Sequence, residues 1–439
     1  MRLIIISIIG GYSSFVYSED LLDIYRLALL NDPTFEVARY SLKTEKEKLP
    51  QARGGFLPKI DVVGINSLSN VRNHYSNAPR VNRELHEWNW ALRVTQPLMN
   101  IHNYYTHKEA KFISDRAAAE YNLAQQDMIL RLIQAYFGVM SGFEEISVYE
   151  TELLAAEEQL KLATAGHEKG LATLTDVLEA NSRVNIARFN LVEAQNNHDV
   201  KKVELEKIID VFPGQLAPLS DDAIISPPEP NDLKHWVEFA RQSNPAVKVA
   251  QFGLLVSEVV VKKAKAAHAP TVDLIASMGE NYASGNVTTP TDFASRGETK
   301  KVEIQFTIPL FEGGVTSSIV AESFAQKYRA GAELEVARRQ AETDARIAYF
   351  GVINGLAQIS ALNSVVESGK MMVDESQVGY KLGVYNNFKV LDAVQKYFGA
   401  KRDLVKARYE TLFHALKLKA SVGILTEGDL LVINEFLEH

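Results

Sequence analysis

The chain is written twice. Asn31-Asp32-Pro33 returns as Ser243-Asn244-Pro245, "GGFLPKIDVVG" as "AAHAPTVDLIA", and "VTQPLMN" as "FTIPLFE". The prolines of these pairs, Pro33 and Pro245, Pro58 and Pro270, Pro97 and Pro309, all stand 212 residues apart. Further on the offset is 213: "AYFGV" begins at Ala135 and Ala348, Gly170 matches Gly383, and Val177-Leu178 matches Val390-Leu391. One residue enters between the two sets. An offset this steady marks an internal duplication, with a unit far longer than a solenoid repeat. The elements of the fold must therefore occur in duplicate. The repeats span 19–212 and 231–439, the second with a short C-terminal tail, and the proline-rich segment 213–230 reads as a linker.

Both repeats follow one plan. Short helices end near Arg53 and Lys265. Two strands follow around a polar loop, at about Lys59–Ser67 and Glu87–Met99, then Thr271–Tyr282 and Thr299–Phe311. A long helical stretch comes next, Asn100 to about Ala165 and Gly314 to about Gln377, then a glycine-containing tip and a returning helix to about Asp210 and Gly423. Roughly 65 helical residues make a rod of ~100 Å. The returning helices carry heptads: Val390, Tyr397, Leu404 and Leu418 in one column, Leu391, Phe398, Val405 and Leu412 in the next, and Val177, Val184, Leu191 and Leu205 in the first repeat. Heptads mean side-by-side packing with coiled-coil character. An ordinary antiparallel coiled coil would account for the helices and leave the strands unexplained.

The strands have sharply divided faces. Val302, Ile304, Phe306 and Ile308 alternate with Lys301, Glu303, Gln305 and Thr307; Trp88, Trp90, Leu92 and Val94 alternate with Asn89, Ala91, Arg93 and Thr95; Val272, Leu274, Ala276 and Met278 alternate with Thr271, Asp273, Ile275 and Ser277. In the first strand Ile60, Val62, Val63 and Ile65 hold no single face. Strands near ten residues long, one face apolar, one polar, with aromatic residues among them, fit a transmembrane barrel. A soluble sheet is the alternative, but no sequence remains to build its core. The N-terminus has Arg2, an apolar core from Leu3 to Ile9, and Val16 and Ser18 before a cleavage point, which reads as a secretory signal over 1–18. Four strands close no barrel, and an open edge cannot face lipid. Several copies must share one barrel, three giving twelve strands. The fold class expected is an α+β membrane protein with four transmembrane strands per chain and long antiparallel coiled-coil helices.

Composition narrows the function. The net charge of -8 argues against a nucleic-acid binder. With no cysteine there are no disulfides, thiolate nucleophiles, cysteine-held metals or lipid attachment through an N-terminal cysteine. His102, His107 and His167 have no metal-ligand spacing with carboxylates, and neither HExxH nor a phosphate-cradling loop occurs. No enzyme activity, cofactor or metal is expected.

The signal followed by "EDLLDIYRLALLNDPTFEVA", the entries "FLPKIDV" and "APTVDLIAS", "IPLFEGG", and the tip "GYKLGVYNNFKVLDA" together resemble the TolC family of outer-membrane efflux proteins over nearly the whole mature chain. The resemblance implies a homotrimer, a twelve-stranded barrel in the outer membrane of a Gram-negative bacterium, and an α-helical tunnel through the periplasm, closed at its inner end. It implies docking onto an ABC or proton-driven inner-membrane transporter through a periplasmic adaptor, to export proteins, peptides or small toxic compounds. By resemblance, Tyr380 bonds to Asp176 in the neighbouring coil, and Asp392 belongs to a ring at the constriction. Two residues depart from the pattern: the ring's other aspartate is Lys389, and an arginine of the closing lock is Tyr385. Lys389 and Asp392, three apart on one helix, can pair along it. The tips Gly170-Leu171 and Leu382-Gly383-Val384 resemble the family's adaptor contact. Trp88, Trp90, Leu92, Val94, Val272, Leu274, Val302, Ile304 and Phe306 are expected to face lipid. A periplasmic coiled-coil adaptor or structural tether is the alternative from another class; it keeps the hairpins but needs no lipid-facing strands.

Overall fold

A computed structural model describes residues 20–74, 76, 80–220, 223, 225–285 and 293–437. The expected secretory signal and parts of both polar loops lie outside the described residues. The elements run α1 (Leu21–Asn31), α2 (Pro33–Gly54), β1 (Lys59–Asn73), β2 (Val81–Met99), α3 (Ile101–Glu168), α4 (Leu174–Ile209), α5 (Leu233–Ser243), α6 (Pro245–Lys265), β3 (Thr271–Ala283), β4 (Ser295–Thr307), α7 (Val315–Lys381), α8 (Asn387–Ser421) and α9 (Glu427–Asn434). Up to α8 the order is one series repeated, two short helices, two strands and two long helices. By composition, 233–268 is apolar enough to cross a membrane. It is broken, however, where α5 gives way to α6 at Asn244-Pro245.

By internal contacts the chain forms two compact units. Among the described residues, the first holds those of 20–39, 120–247 and 337–437. Its core joins Leu21, Ile24 and Tyr25 of α1 to Leu132 and Tyr136 of α3, Leu205 and Ile209 of α4, and Leu412 and Leu416 of α8. Heptad positions Val184, Val390, Leu391, Phe398, Val405 and Leu418 are buried as their spacing requires. The segment between the repeats joins this core: Leu216, Ala217 and Leu219 are buried, the Tyr136 hydroxyl donates to the Ala217 carbonyl at 2.9 Å, and Leu219 bridges Leu437. The C-terminal tail is the short helix α9. It is fastened to the start of α1 by Asn434, whose Oδ1 accepts from the Leu21 N–H at 3.1 Å. Asn434 Nδ2 donates to Asp20 at 3.1 Å.

A pair of glycines lets α3 and α4, and again α7 and α8, cross closely. A Cβ on Gly142 would lie 3.2 Å from the His198 ring, and one on Gly355 would lie 2.2 Å from Thr411 Oγ1. Both pairs occupy equivalent positions in the two repeats, 213 residues apart. The spacing Gly138-x-x-x-Gly142, repeated as Gly351-x-x-x-Gly355, brings small residues onto one helix stripe, where backbones can approach.

The second unit holds residues 40–119 and 248–336 and contains the sheet. Strand order is β1-β2-β3-β4, all antiparallel. Register places the apolar residues that alternate in β2, β3 and β4 on one face with Ile60 and Val62 of β1. Ile60 pairs with Val94, Val94 with Ala276, and Ala276 with Val302. The neighbouring row is Val62, Leu92, Met278 and Lys300, and Leu274 pairs with Ile304, Val272 with Phe306. Next to this band lie Trp90 and Trp88, the latter stacked on Tyr282 with centroids 5.9 Å apart. In β1, Ile60 and Val62 share the apolar face, whereas Val63 and Ile65 turn to the other side with Ala91 and Asn89.

Strand ends differ from expectation at two places. β1 and β2 run longer, to Asn73 and from Val81. β4 spans Ser295–Thr307 rather than 299–311, so Ile308 and Phe311 fall outside it. Pro309 has no N–H to continue the ladder. Its counterpart Pro97 lies inside the central strand β2 only because the register shifts there.

Candidate functional site

The two helical tips are built alike up to their last turn. The long helices end at glycines in the left-handed region, Gly170 at φ 72 and Gly383 at φ 75. Leu171 N–H donates to the Gly166 carbonyl at 2.8 Å, and Val384 N–H to the Gly379 carbonyl at 2.8 Å. Gly170 and Gly383 N–H donate to the carbonyls of His167 and Tyr380. This double closure satisfies the last carbonyls and needs positive φ, which any side chain would strain. Leu171, Leu382 and Val384 project from the turns, 82%, 73% and 71% exposed.

Beyond the turns the tips diverge. At the first, Thr173 Oγ1 accepts from the Asp176 N–H at 3.2 Å, and Asp176 Oδ2 accepts from the Thr173 N–H at 2.8 Å. This reciprocal cap places an anion at the positive end of α4. At the second, Asn386 Oδ1 accepts from the Lys389 N–H at 3.1 Å, but Lys389 occupies the position of Asp176 and cannot return the bond. A cation there opposes the helix dipole.

The residues expected at the gate are brought together only in part. Tyr380 and Asp176 interact through charge: burial first, then the Asp176 carboxylate, push the Tyr380 phenol above its ordinary range. Among the described residues no hydrogen bond joins them. The Asp176 carboxylate is engaged by the Thr173 N–H and hydroxyl instead. Asp392 pairs with Lys396, at 2.9 Å, and not with Lys389. The i,i+4 partner reaches it instead. Lys389, Asp392 and Lys396 nevertheless share one helix stripe by spacing. Tyr385 lies over its own turn: a Cβ on Gly379 would fall 2.2 Å from its ring. Ala172 stands on Gly166 at the equivalent place.

One arrangement escapes the sequence. Asn387, the first residue of α8, is completely buried; its Oδ1 accepts from Gln159 of α3, and its Nδ2 donates to the Asp176 carbonyl of α4 at 3.1 Å. In sequence it reads as one more asparagine of a polar turn. Only its partners on another hairpin, 211 and 228 residues away, give it meaning.

Comparison with known proteins gives this geometry its context. A family model described as "Outer membrane efflux protein" matches the chain twice, over residues 24–210 and 236–424. This chain belongs to the outer membrane efflux protein family. It is similar to Outer membrane protein TolC of Escherichia coli strain K12, 27% identical over 440 residues, covering 98% of this chain and 87% of that protein. It is also similar to Alkaline protease secretion protein AprF of Pseudomonas aeruginosa, 27% identical, covering 93% and 85%. In fold it resembles the CmeC outer membrane channel of Campylobacter jejuni, with TM-score 0.80, 16% identity and coverage of 95% and 90%. VceC of Vibrio cholerae gives TM-score 0.78 and 17% identity over 92% and 96%. The two matched spans lie within residues 19–212 and 231–439. Efflux proteins of this family are channels of the outer membrane that serve export systems, and the chain is one of them.

Proposed function

We propose that three copies of this efflux-family chain close one barrel in the outer membrane and form the exit duct of a tripartite system, with an adaptor docking at the tips and an inner-membrane ABC or proton-driven transporter supplying cargo. The sheet carries this reading. It has a mostly apolar face, interrupted at Gln96 and Lys300, and two unpaired edges, β1 and β4, among the described residues. Ile304 on that face is 68% exposed in the single chain. An apolar face with open edges is stable in lipid only when further strands close it. A periplasmic tether would have no use for such a face. The exposed Leu171, Leu382 and Val384 give both tips an apolar surface for an adaptor. The similarity to proteins named for protease secretion and for toluene efflux supports cargo of either kind. A duct of this type works by gate and lining, without catalysis.

Lys389, Asp392 and Lys396 are proposed to line the constriction. Lys396 neutralises Asp392, leaving Lys389 as the excess charge of each copy, so the ring is positive rather than nearly neutral. Purified protein from the outer-membrane fraction should run as a heat-dissociable trimer and form single channels in planar bilayers. A monomer without conductance would refute the proposal.

A further inference from the structure

The buried amide at the tip has an unusual combination of properties. Asn387 is 0% exposed and Gln159 4%. Both hydrogen-bonding ends of Asn387 are occupied, one by the Gln159 side chain and one by the Asp176 carbonyl. Both partners belong to the first hairpin, whereas Asn387 begins the returning helix of the second. One neutral side chain thus ties three helices across two hairpins. Other polar links join the hairpins, among them Arg402 to Glu152, Tyr409 to Glu144 and Arg183 to Gln395, but Gln395 is exposed and the bonds of Arg402 and Tyr409 lie farther along α8 from the tip.

The duplication supplies an internal control. The positions equivalent to Gln159 and Asn387 are Met372 and Leu174, which carry no amide and are exposed in the single chain. A helical hairpin of this type therefore folds without the tie. Where present, the tie is all or nothing. Sealed, its polar atoms satisfy one another out of water. If only one partner is lost, the other is left buried and unbonded, which destabilises the sealed state. If the hairpins part, water takes over the same bonds. A contact with that behaviour holds two rigid bodies together without preventing their separation.

We propose that Asn387, gripping Gln159 and the Asp176 carbonyl, is the latch that keeps the second hairpin on the first in the closed channel. It does the work that the resemblance assigns to Tyr380 and Asp176, which share no hydrogen bond here. The inference rests on the channel reading above.

The test is single-channel conductance of the full-length protein in planar bilayers, alongside thermal unfolding in detergent. Asn387→Leu should raise the open fraction roughly tenfold or more, because it strands both partners. Leu174→Ala and Met372→Ala, at the equivalent exposed positions, should leave it unchanged. The chain has no cysteine, so Gln159→Cys with Asn387→Cys introduces the only thiols. Oxidation or a short bifunctional thiol reagent should hold this variant at wild-type conductance, and reduction should open it. Reversible opening by reductant distinguishes a latch from a residue that merely helps the tip fold. Wild-type channels combined with an Asn387→Leu variant of unchanged conductance, or a thiol pair indifferent to reduction, would overturn the latch alone. Wild-type protein that forms no channel would overturn the channel reading and the latch with it.

Discussion

The first and second repeats are built on one pattern, yet differ where it matters for opening. Each has a long helix closed by a left-handed glycine, a returning helix, and a glycine pair at the crossing. The first begins its returning helix with the Thr173–Asp176 reciprocal cap, and the second with Asn386 and an unreciprocating Lys389. The first offers a backbone carbonyl and a glutamine to its neighbour, and the second answers with Asn387. Duplication fixes the backbone twice. Divergence at single side chains then makes one hairpin the anchor and leaves the other with a weaker start and a releasable tie.

If the halves are equivalent where they meet lipid, charge should cost the same in each. Leu92 and Ile304 hold matching places, 212 residues apart, on the apolar face. Leu92→Arg and Ile304→Arg should each destabilise the inserted barrel by ~2–4 kcal/mol, measured as loss of assembled trimer in denaturant titration. Normal insertion of either variant would break the assignment of that face.

The glycine seats should separate the repeats. A Cβ on Gly355 meets Thr411 Oγ1 at 2.2 Å, but one on Gly142 meets His198 at 3.2 Å. Gly355→Ala should therefore lose about 1–3 kcal/mol by overpacking, and Gly142→Ala clearly less. Equal midpoints in chemical unfolding would show that the two crossings relax alike.

Lys389→Asp should make the second tip resemble the first. It restores an anion at the third residue of α8, where a reciprocal cap contributes roughly 0.5–2 kcal/mol. It also turns the proposed ring from positive to negative within a Debye length of ~10 Å. Reversal potentials under a salt gradient should shift toward cations relative to wild type. Unchanged potentials would place Lys389 away from the lumen.

The smallest effect concerns acid. Burial, reinforced by Lys202, pushes the His198 imidazole below its ordinary range; it faces the Val139 carbonyl and lies beside Asp199. Burial and Lys417 do the same to His414, partly offset by Glu410. A histidine whose folded value is depressed binds its proton more readily when unfolded. Its stability is present in full above about pH 6.5 and is lost as pH falls through the lower folded value. His198→Asn should flatten the decline in stability between neutral and mildly acidic pH. Thr411, at the equivalent position, has no such dependence, so Thr411→Ser should leave the slope unaltered.

The sequence by itself determined the duplication, the number and order of strands and long helices, the division of strand faces and the tip glycines. These are periodic or backbone-level properties, written in spacing that no neighbour can change. The cap at Asp176 was within reach too, since Thr173 and an acid three residues later announce it. Tertiary structure decided the rest. It chose Lys396 over Lys389 as partner of Asp392 and turned the Asp176 carboxylate to its own helix instead of Tyr380. It packed Leu216 and Leu219 of the linking segment into the core and ended β4 before Pro309. It also buried Asn387 against a hairpin more than two hundred residues away. Those outcomes depend on which side chains from distant segments compete for one space and one set of hydrogen bonds. Local spacing carries no record of that competition.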